Sequence, residues 1–318
     1  MNKRFSFLEN FVTISLHQGG LHMSDVSAQQ HLLPVVVFLT MMTIGLELKP
    51  KQFHELLKSP RVPLLGSLIH TFTFPIVALV VIMVLQLLRL SPGEATTIGI
   101  LLIAACPSGG FSNILTMIAR ANLALSIVLT AVSTLFSMVT VPLLLFGFGY
   151  LVVELRGPVE IPVDSVLFQL TFLVFMPIVI GMTITARFDW FSAEQVTRMQ
   201  KLAQTMLYLV VGLMIVENWG TMKSGFIDAL PLSLLLCFVN ISACFGLSRA
   251  AGLNPEDAVT VSLEGSTRNL AVAILVSAHS LQRMDIAVLP TIYFLSVLVV
   301  SIFFAKTWRS LLAATMAK

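Results

Sequence analysis

The sequence predicts an all-α integral membrane protein with nine transmembrane helices, two of them interrupted at membrane depth. Three observations predict it. Only 11% of residues are charged and 57% are hydrophobic, with a mean hydropathy of +0.93, whereas a soluble domain is about 25% charged. Apolar stretches near the length of a spanning helix recur nine times. Two of these stretches carry clustered polar and small residues at their centres, where an unsatisfied polar group is costly.

The first 31 residues read as a tail. Lys3 and Arg4 precede only short apolar runs, broken by Glu9, Asn10 and His17, so no secretory signal is indicated. Phe5, Leu8, Phe11 and Val12 recur at helical spacing, as in an amphipathic helix lying on a membrane surface; a disordered tail is the other reading. The spanning segments are then expected at 32–48, 62–88, 95–119, 122–150, 164–186, 200–222, 229–249, 256–280 and 286–307, within a transporter domain of 32–310. Residues 311–318 are expected to form a cytoplasmic tail. The connections carry turn chemistry, as at Ser91-Pro92-Gly93, Gly157-Pro158 and Gly252-Leu253-Asn254-Pro255. Asn254-Pro255 followed by Glu256 and Asp257 is a helix-start signal. Cys106, Cys237 and Cys244 all fall in apolar segments, without the spacing of a disulfide frame or a zinc site.

Basic residues set the expected orientation. Six of the 19 lysines and arginines fall on the N-terminal side, twelve on the opposite side, and Arg268 lies between. The N-terminus is therefore expected outside and the C-terminus in the cytoplasm. No glycosylation sequon occurs in the tail, and Asn240-Ile241-Ser242 lies within a helix, which leans toward a bacterial inner membrane.

The third segment is interrupted at Ala105-Cys106-Pro107-Ser108-Gly109-Gly110-Phe111-Ser112-Asn113, and the eighth at Leu263-Glu264-Gly265-Ser266-Thr267-Arg268-Asn269. They lie an odd number of spans apart and so run in opposite directions, as expected of inverted repeats with broken helices. Segments 2-3-4 would match 7-8-9 and segment 1 would match 6, leaving segment 5 without a partner. A broken helix presents N–H donors on one side and carbonyls on the other, suited to an anion and a cation respectively. Gly109 and Gly110 permit a close backbone approach.

The run from Cys106 to Asn113, the stretch Asn122–Thr134, Gly45-Leu46-Glu47-Leu48-Lys49-Pro50, and Glu264 with Asn269 resemble the bile acid/sodium symporter family. The resemblance covers about 30–310, in the pattern of nine-helix members that lack the first helix. It implies a core domain (62–150 and 229–307), in which two discontinuous helices cross, and a panel domain (32–48 and 164–222). It also implies transport of an organic anion, such as a bile acid, pantoate or keto acid, with sodium by alternating access.

The family's first sodium site matches Ser112, Asn113, Ser126, Thr130 and Glu264 here, all of suitable type. Ser126 and Thr130 lie four apart and so share a helix face. At the second site the family's glutamines are replaced by His70 and Arg268. Arg268 reads as a tethered cation that takes the second ion's place, pairing with Glu264 and bonding freed carbonyls. Binding the substrate carboxylate directly and serving only as a structural ion pair remain open for it. His70 is either a satisfied polar residue or a proton carrier. By position Gly109, Gly110, Ser266, Thr267 and Asn269 are expected to line the substrate site. The family usually carries Thr or Asn where Gly110 stands. Asn240 either faces the core or bonds a neighbouring helix.

The expected partners are a small organic anion and membrane lipid, with sodium as the coupled ion; nothing points to nucleic acid or an obligate protein partner. Glu217-Asn218-Trp219, Trp190 and Trp308 read as interfacial residues without chemistry. An intramembrane hydrolase would need a nucleophile turn paired with His70 or His279, and the sequence has no such pattern. A channel would not account for sodium-type ligands spread over two breaks. A nucleotide-driven pump would need a phosphate-binding loop.

Overall fold

A computed structural model describes residues 28–48, 60–156, 163–188 and 191–316. The expected surface helix of the tail, Lys49, Pro50, the Gly157-Pro158 turn and Trp190 lie outside the described residues. Within them every regular element is helical. In chain order these are α1 (Ala28–Glu47), α2 (Arg61–Leu87), α3 (Glu94–Ala105), α4 (Phe111–Ala119) and α5 (Leu123–Arg156). Then comes α6, which runs from Val163–Gln169 through a π-helical stretch, Leu170–Phe175, into Met176–Arg187. The remainder are α7 (Ala193–Glu217), α8 (Trp219–Ala250), α9 (Pro255–Ser266), α10 (Leu270–Leu275, continuing π-helical through Val276–Ser280) and α11 (Val288–Met316).

Five of these helices are long and apolar enough to cross a membrane. The bent pair Leu123–Thr134 and Val139–Phe148, which meet at 59°, makes a sixth if it counts as one span. Near that bend Ser133 and Ser137 donate back to the Thr130 and Thr134 carbonyls, a habit that bends helices. Large apolar side chains such as Met83, Val216, Ile227 and Phe238 are more than 60% exposed. Water would penalise that apolar surface, whereas hydrocarbon does not. The short helices differ: α3 from Thr97 to Ala105 and α9 from Asp257 to Ser266 are buried on every side.

Helix ends follow local chemistry. Asn254 caps α9 by accepting from the Asp257 N–H at 2.8 Å, with Pro255 in the first turn, as the sequence signal required. Cys106 precedes Pro107 and is extended, which ends α3. Some boundaries depart from expectation: α11, expected to end at 307, runs on to Met316 through most of the expected tail, and two segments abut. Segments read as 200–222 and 229–249 are α7 and α8, separated by Asn218 alone. Hydropathy marks only the apolar part of a helix. Here α7 begins earlier, at a Ser192–Gln195 capping box, and α8 runs through the polar stretch around Lys223 and Ser224.

Two packing groups result. In one, α1 lies along α6 and α7. Its closest approach is backbone to backbone: a Cβ on Gly45 would lie 2.3 Å from the Ile178 carbonyl oxygen, and one on Gly181 would lie 2.4 Å from that of Met42. In the other, α8 packs on α11, α9 and α2, while α4 packs on α11. The side-chain hydrogen bonds between described residues of the two groups converge on Gln169 of α6, which meets His279 and Ser280 of α10.

Candidate functional site

The two interruptions meet. Residues 106–110 separate α3 from α4, and 267–269 separate α9 from α10. Ser108 and Arg268 form an isolated antiparallel bridge. The Gly109 N–H donates to the Thr267 carbonyl and the Asn269 N–H to the Pro107 carbonyl, both at 2.9 Å. Each break thus supplies partners for backbone groups that the other has freed, as a dry environment demands.

Side chains satisfy what the bridge leaves. Asn269 caps α10, its Oδ1 accepting from the Ala271 and Val272 N–H groups. At the end of α9, Asn240 Nδ2 donates to the Gly265 carbonyl at 3.0 Å and to Ser266 Oγ at 3.1 Å. The Tyr293 hydroxyl donates to the Ser266 carbonyl at 2.8 Å. Asn240 therefore holds the neighbouring half-helix. Tyr293 was not anticipated; the signal for it was a hydroxyl-bearing aromatic in an apolar helix, since such a hydroxyl needs a partner when buried.

Glu264 is fully buried. Its Oε1 accepts from Ser108 Oγ at 2.7 Å and Thr130 Oγ1 at 2.5 Å, and its Oε2 accepts from Ser126 Oγ at 3.0 Å. Ser126 also reaches Asn113 Oδ1 at 2.8 Å. Ser112 is buried beside the break and donates to the Gly109 carbonyl at 2.9 Å. Ser112, Asn113, Ser126, Thr130 and Glu264 thus occupy one buried polar cluster built from α4, α5 and α9. The cluster also holds Ser108 and Ser133, whose hydroxyls lie 2.8 Å apart. Sequence reasoning quoted Ser108 and Ser133 but gave them no role, because two serines on different segments carry no spacing signal.

Arg268 departs from its expected pairing. No Arg268 nitrogen comes within 4.0 Å of a Glu264 oxygen among the described ion pairs. The guanidinium instead donates to the Cys106 carbonyl at 3.0 Å and the His70 carbonyl at 2.9 Å, and sits 5.0 Å from the Phe74 ring centroid. Cys106 closes α3, so the fixed cation stands at the carbonyl end of that half-helix, where the helix dipole favours positive charge. Phe74 adds a cation–π contact. His70 is fully buried, and neither ring nitrogen has a hydrogen-bond partner among the described residues.

Two cavities flank the breaks. One, of about 260 Å³, touches Pro107 and Val272 and is otherwise walled by α5 and α6. The other, of about 40 Å³, is lined by Gly109, Gly110, Thr267 and Asn269, with Gln204 and Tyr208 of α7 opposite. Four of the five expected substrate residues therefore share one cavity. Ser266 does not line it; its hydroxyl is turned to Asn240. No group of three or more His, Cys, Asp or Glu residues that could hold a metal ion occurs among the described residues.

Residues 34–224 match the Sodium Bile acid symporter family. The chain belongs to that family. That family is one of sodium symporters, and five of this chain's helices are long and apolar enough to cross a membrane. A probable sodium/metabolite cotransporter of Arabidopsis thaliana chloroplasts is 26% identical over 246 residues, which is 76% of this chain and 57% of that protein. An uncharacterized sodium-dependent transporter of Bacillus subtilis is 34% identical over 117 residues, 36% of this chain and 35% of that one. The human sodium/bile acid cotransporter 4 is 23% identical over 241 residues, 74% and 54% of the two chains. The chain thus spans about half the length of the curated relatives it matches.

Proposed function

We propose that this symporter-family member is a secondary active transporter of an organic anion, working by alternating access and coupled to one sodium ion. The observation that carries the reading is the antiparallel bridge between the two breaks, with an oxygen-rich acid cluster on one flank and, on the other, a cavity lined by the breaks' own residues. The packing group of α2–α5 and α8–α11 would be the core, with inverted repeats and nine spans in all. The group of α1, α6 and α7 would be the panel. The excess of lysine and arginine would put the C-terminus in the cytoplasm.

Sodium is a hard cation that prefers oxygen ligands, and Ser112, Asn113, Ser126, Thr130 and Glu264 offer only oxygens toward it. Three hydroxyls now donate to Glu264; with the ion bound, those of Ser126 and Thr130 would turn their lone pairs to it. Arg268 would replace a second ion. Its bonds to the Cys106 and His70 carbonyls are of the kind a bound cation would make. Moving one charge fewer lowers the available drive by about 2.3 kcal/mol per 100 mV.

Sodium and anion fluxes in reconstituted vesicles test this reading. One sodium per anion is expected for the native chain, and more than one for Arg268→Gln. An unchanged stoichiometry in the variant sinks the tethered cation. Proton coupling is the second reading, favoured by the unpartnered ring of His70. Uptake that follows a pH gradient and ignores sodium would establish it instead.

A further inference from the structure

The smaller cavity has a polar wall from each packing group, and the two face one another. From α10 comes Asn269, whose Oδ1 is used by the helix cap, leaving its Nδ2 without a hydrogen-bond partner among the described residues. From α7 comes Gln204, whose amide likewise has none. Its neighbour one turn earlier, Gln200, turns its own amide to Glu47 Oε2 at 3.1 Å, so Gln204 is the carboxamide left to the cavity. Gln204 Nε2 lies 3.2 Å from where a Cβ on Gly110 would stand. That is tighter than ordinary contact, so a side chain at residue 110 would displace the amide from its present position. The nearest cation, Arg268, lines the cavity, but its side chain is committed to the Cys106 and His70 carbonyls.

We propose that Gln204 and Asn269 act as a two-sided carboxamide clamp on the carboxylate or keto oxygens of the transported anion, one donor from each packing group. The inference rests on the organic-anion reading above and adds a substrate-contacting residue outside both breaks. Two neutral donors suit a carrier. They recognise an oxygen anion by charge-assisted hydrogen bonds, yet leave no counter-charge to retain it. Ile44, Leu270 and Phe294 add apolar wall; at about 40 Å³ the cavity takes the head group alone, and the body of the anion would lie outside it or require the two groups to part. Because the donors belong to different groups, the clamp is complete only when the two groups lie together.

The test is thermal unfolding of the purified full chain in sodium, with graded pantoate, pyruvate and cholate and with their primary amides. Binding to the folded state raises the midpoint by mass action. At least one acid is expected to stabilise the native chain more than its amide does. Gln204→Ala should weaken that acid roughly tenfold or more, the scale of one lost hydrogen bond to a charged group. Gln204→Glu, equal in size, should reverse the preference between acid and amide. Gly110→Ala should weaken the acid by crowding Gln204, and adding it to Gln204→Ala should cost little more.

An unchanged acid-to-amide ratio in Gln204→Glu overturns the clamp while leaving the organic-anion reading standing. So does a change confined to the unliganded midpoint, which marks a structural role. If none of the acids stabilises the native chain, the organic-anion reading fails and the clamp falls with it.

Discussion

Glu264 concentrates the consequences of the fold in one residue. Its two oxygens receive the hydroxyls of Ser108, Ser126 and Thr130, all within a region closed to solvent. Glu264→Ala would leave three buried donors without their acceptor, and an orphaned donor costs about 1–3 kcal/mol. We expect a loss of about 2–4 kcal/mol after partial rearrangement, read as a lowered denaturant midpoint in detergent. Glu264→Gln keeps the volume and one acceptor, so its fold should survive. Stabilisation by sodium should nonetheless vanish, and a midpoint that still rises with sodium would remove the acid from the ion site. Arg268→Lys is a second residue-scale test. An ammonium cannot reproduce the planar fork that reaches two carbonyls while lying on Phe74. A loss of about 1–3 kcal/mol is expected in the same measurement.

Elements carry a different kind of constraint, set by how closely two backbones approach. The α1–α6 contact would put a Cβ on Gly45 2.3 Å from the Ile178 carbonyl oxygen and one on Gly181 2.4 Å from that of Met42. No rotamer change relieves such a clash, because the obstructing atoms are backbone. Gly45→Ala or Gly181→Ala should therefore push the helices apart and destabilise the α1–α6–α7 group by about 1–3 kcal/mol. Cysteine cross-linking between α1 and α6 would report the shift, and unaltered cross-linking together with an unaltered midpoint would contradict it. The break in α9 and α10 is held differently. Asn240 and Tyr293 bring donors from two other helices to its last carbonyls, so the interruption is braced from α8 and α11 at once.

For the whole molecule, pH acts at an edge far from the breaks. Arg283 joins Glu94 at the start of α3 to Asp285 in the loop before α11. The hydrogen bond from Arg283 holds the Asp285 carboxyl below its usual range, and the bond to Asp285 raises the guanidinium above its own. A depressed carboxylate contributes stability above its unfolded value, about 3.9, and loses it as the pH falls through the lower folded value. The partners are 38% and 43% exposed, so water and salt limit the gain to about 1 kcal/mol or less. Asp285→Asn should thus cost a few tenths of a kcal/mol near neutrality. Native and variant midpoints should converge once the pH falls below the lowered folded value, and the difference should shrink in high salt. A gap that persists in acid would show that the site is held by packing and not by charge.

Composition by itself settled the solvent: with so few charges spread over recurring apolar runs, only a bilayer can bury the surface of this chain. Pro107, the paired glycines and the cluster around Glu264 likewise announced both interruptions, because a helix cannot pass such residues unmarked. Asn254-Pro255 announced the start of α9 for the same local reason. What no reading along the chain could decide was which polar groups face which. Arg268 lies four residues from Glu264, a spacing that suggests an ion pair on one helix face. The break at 267–269 turns the chain between them and sends the guanidinium to the end of α3 instead. Ser108 and Tyr293 found their partners only across distant segments, and the α7–α8 boundary lay where hydropathy is silent. Local sequence dictates where a helix must stop; only packing in three dimensions dictates what its frayed end will meet.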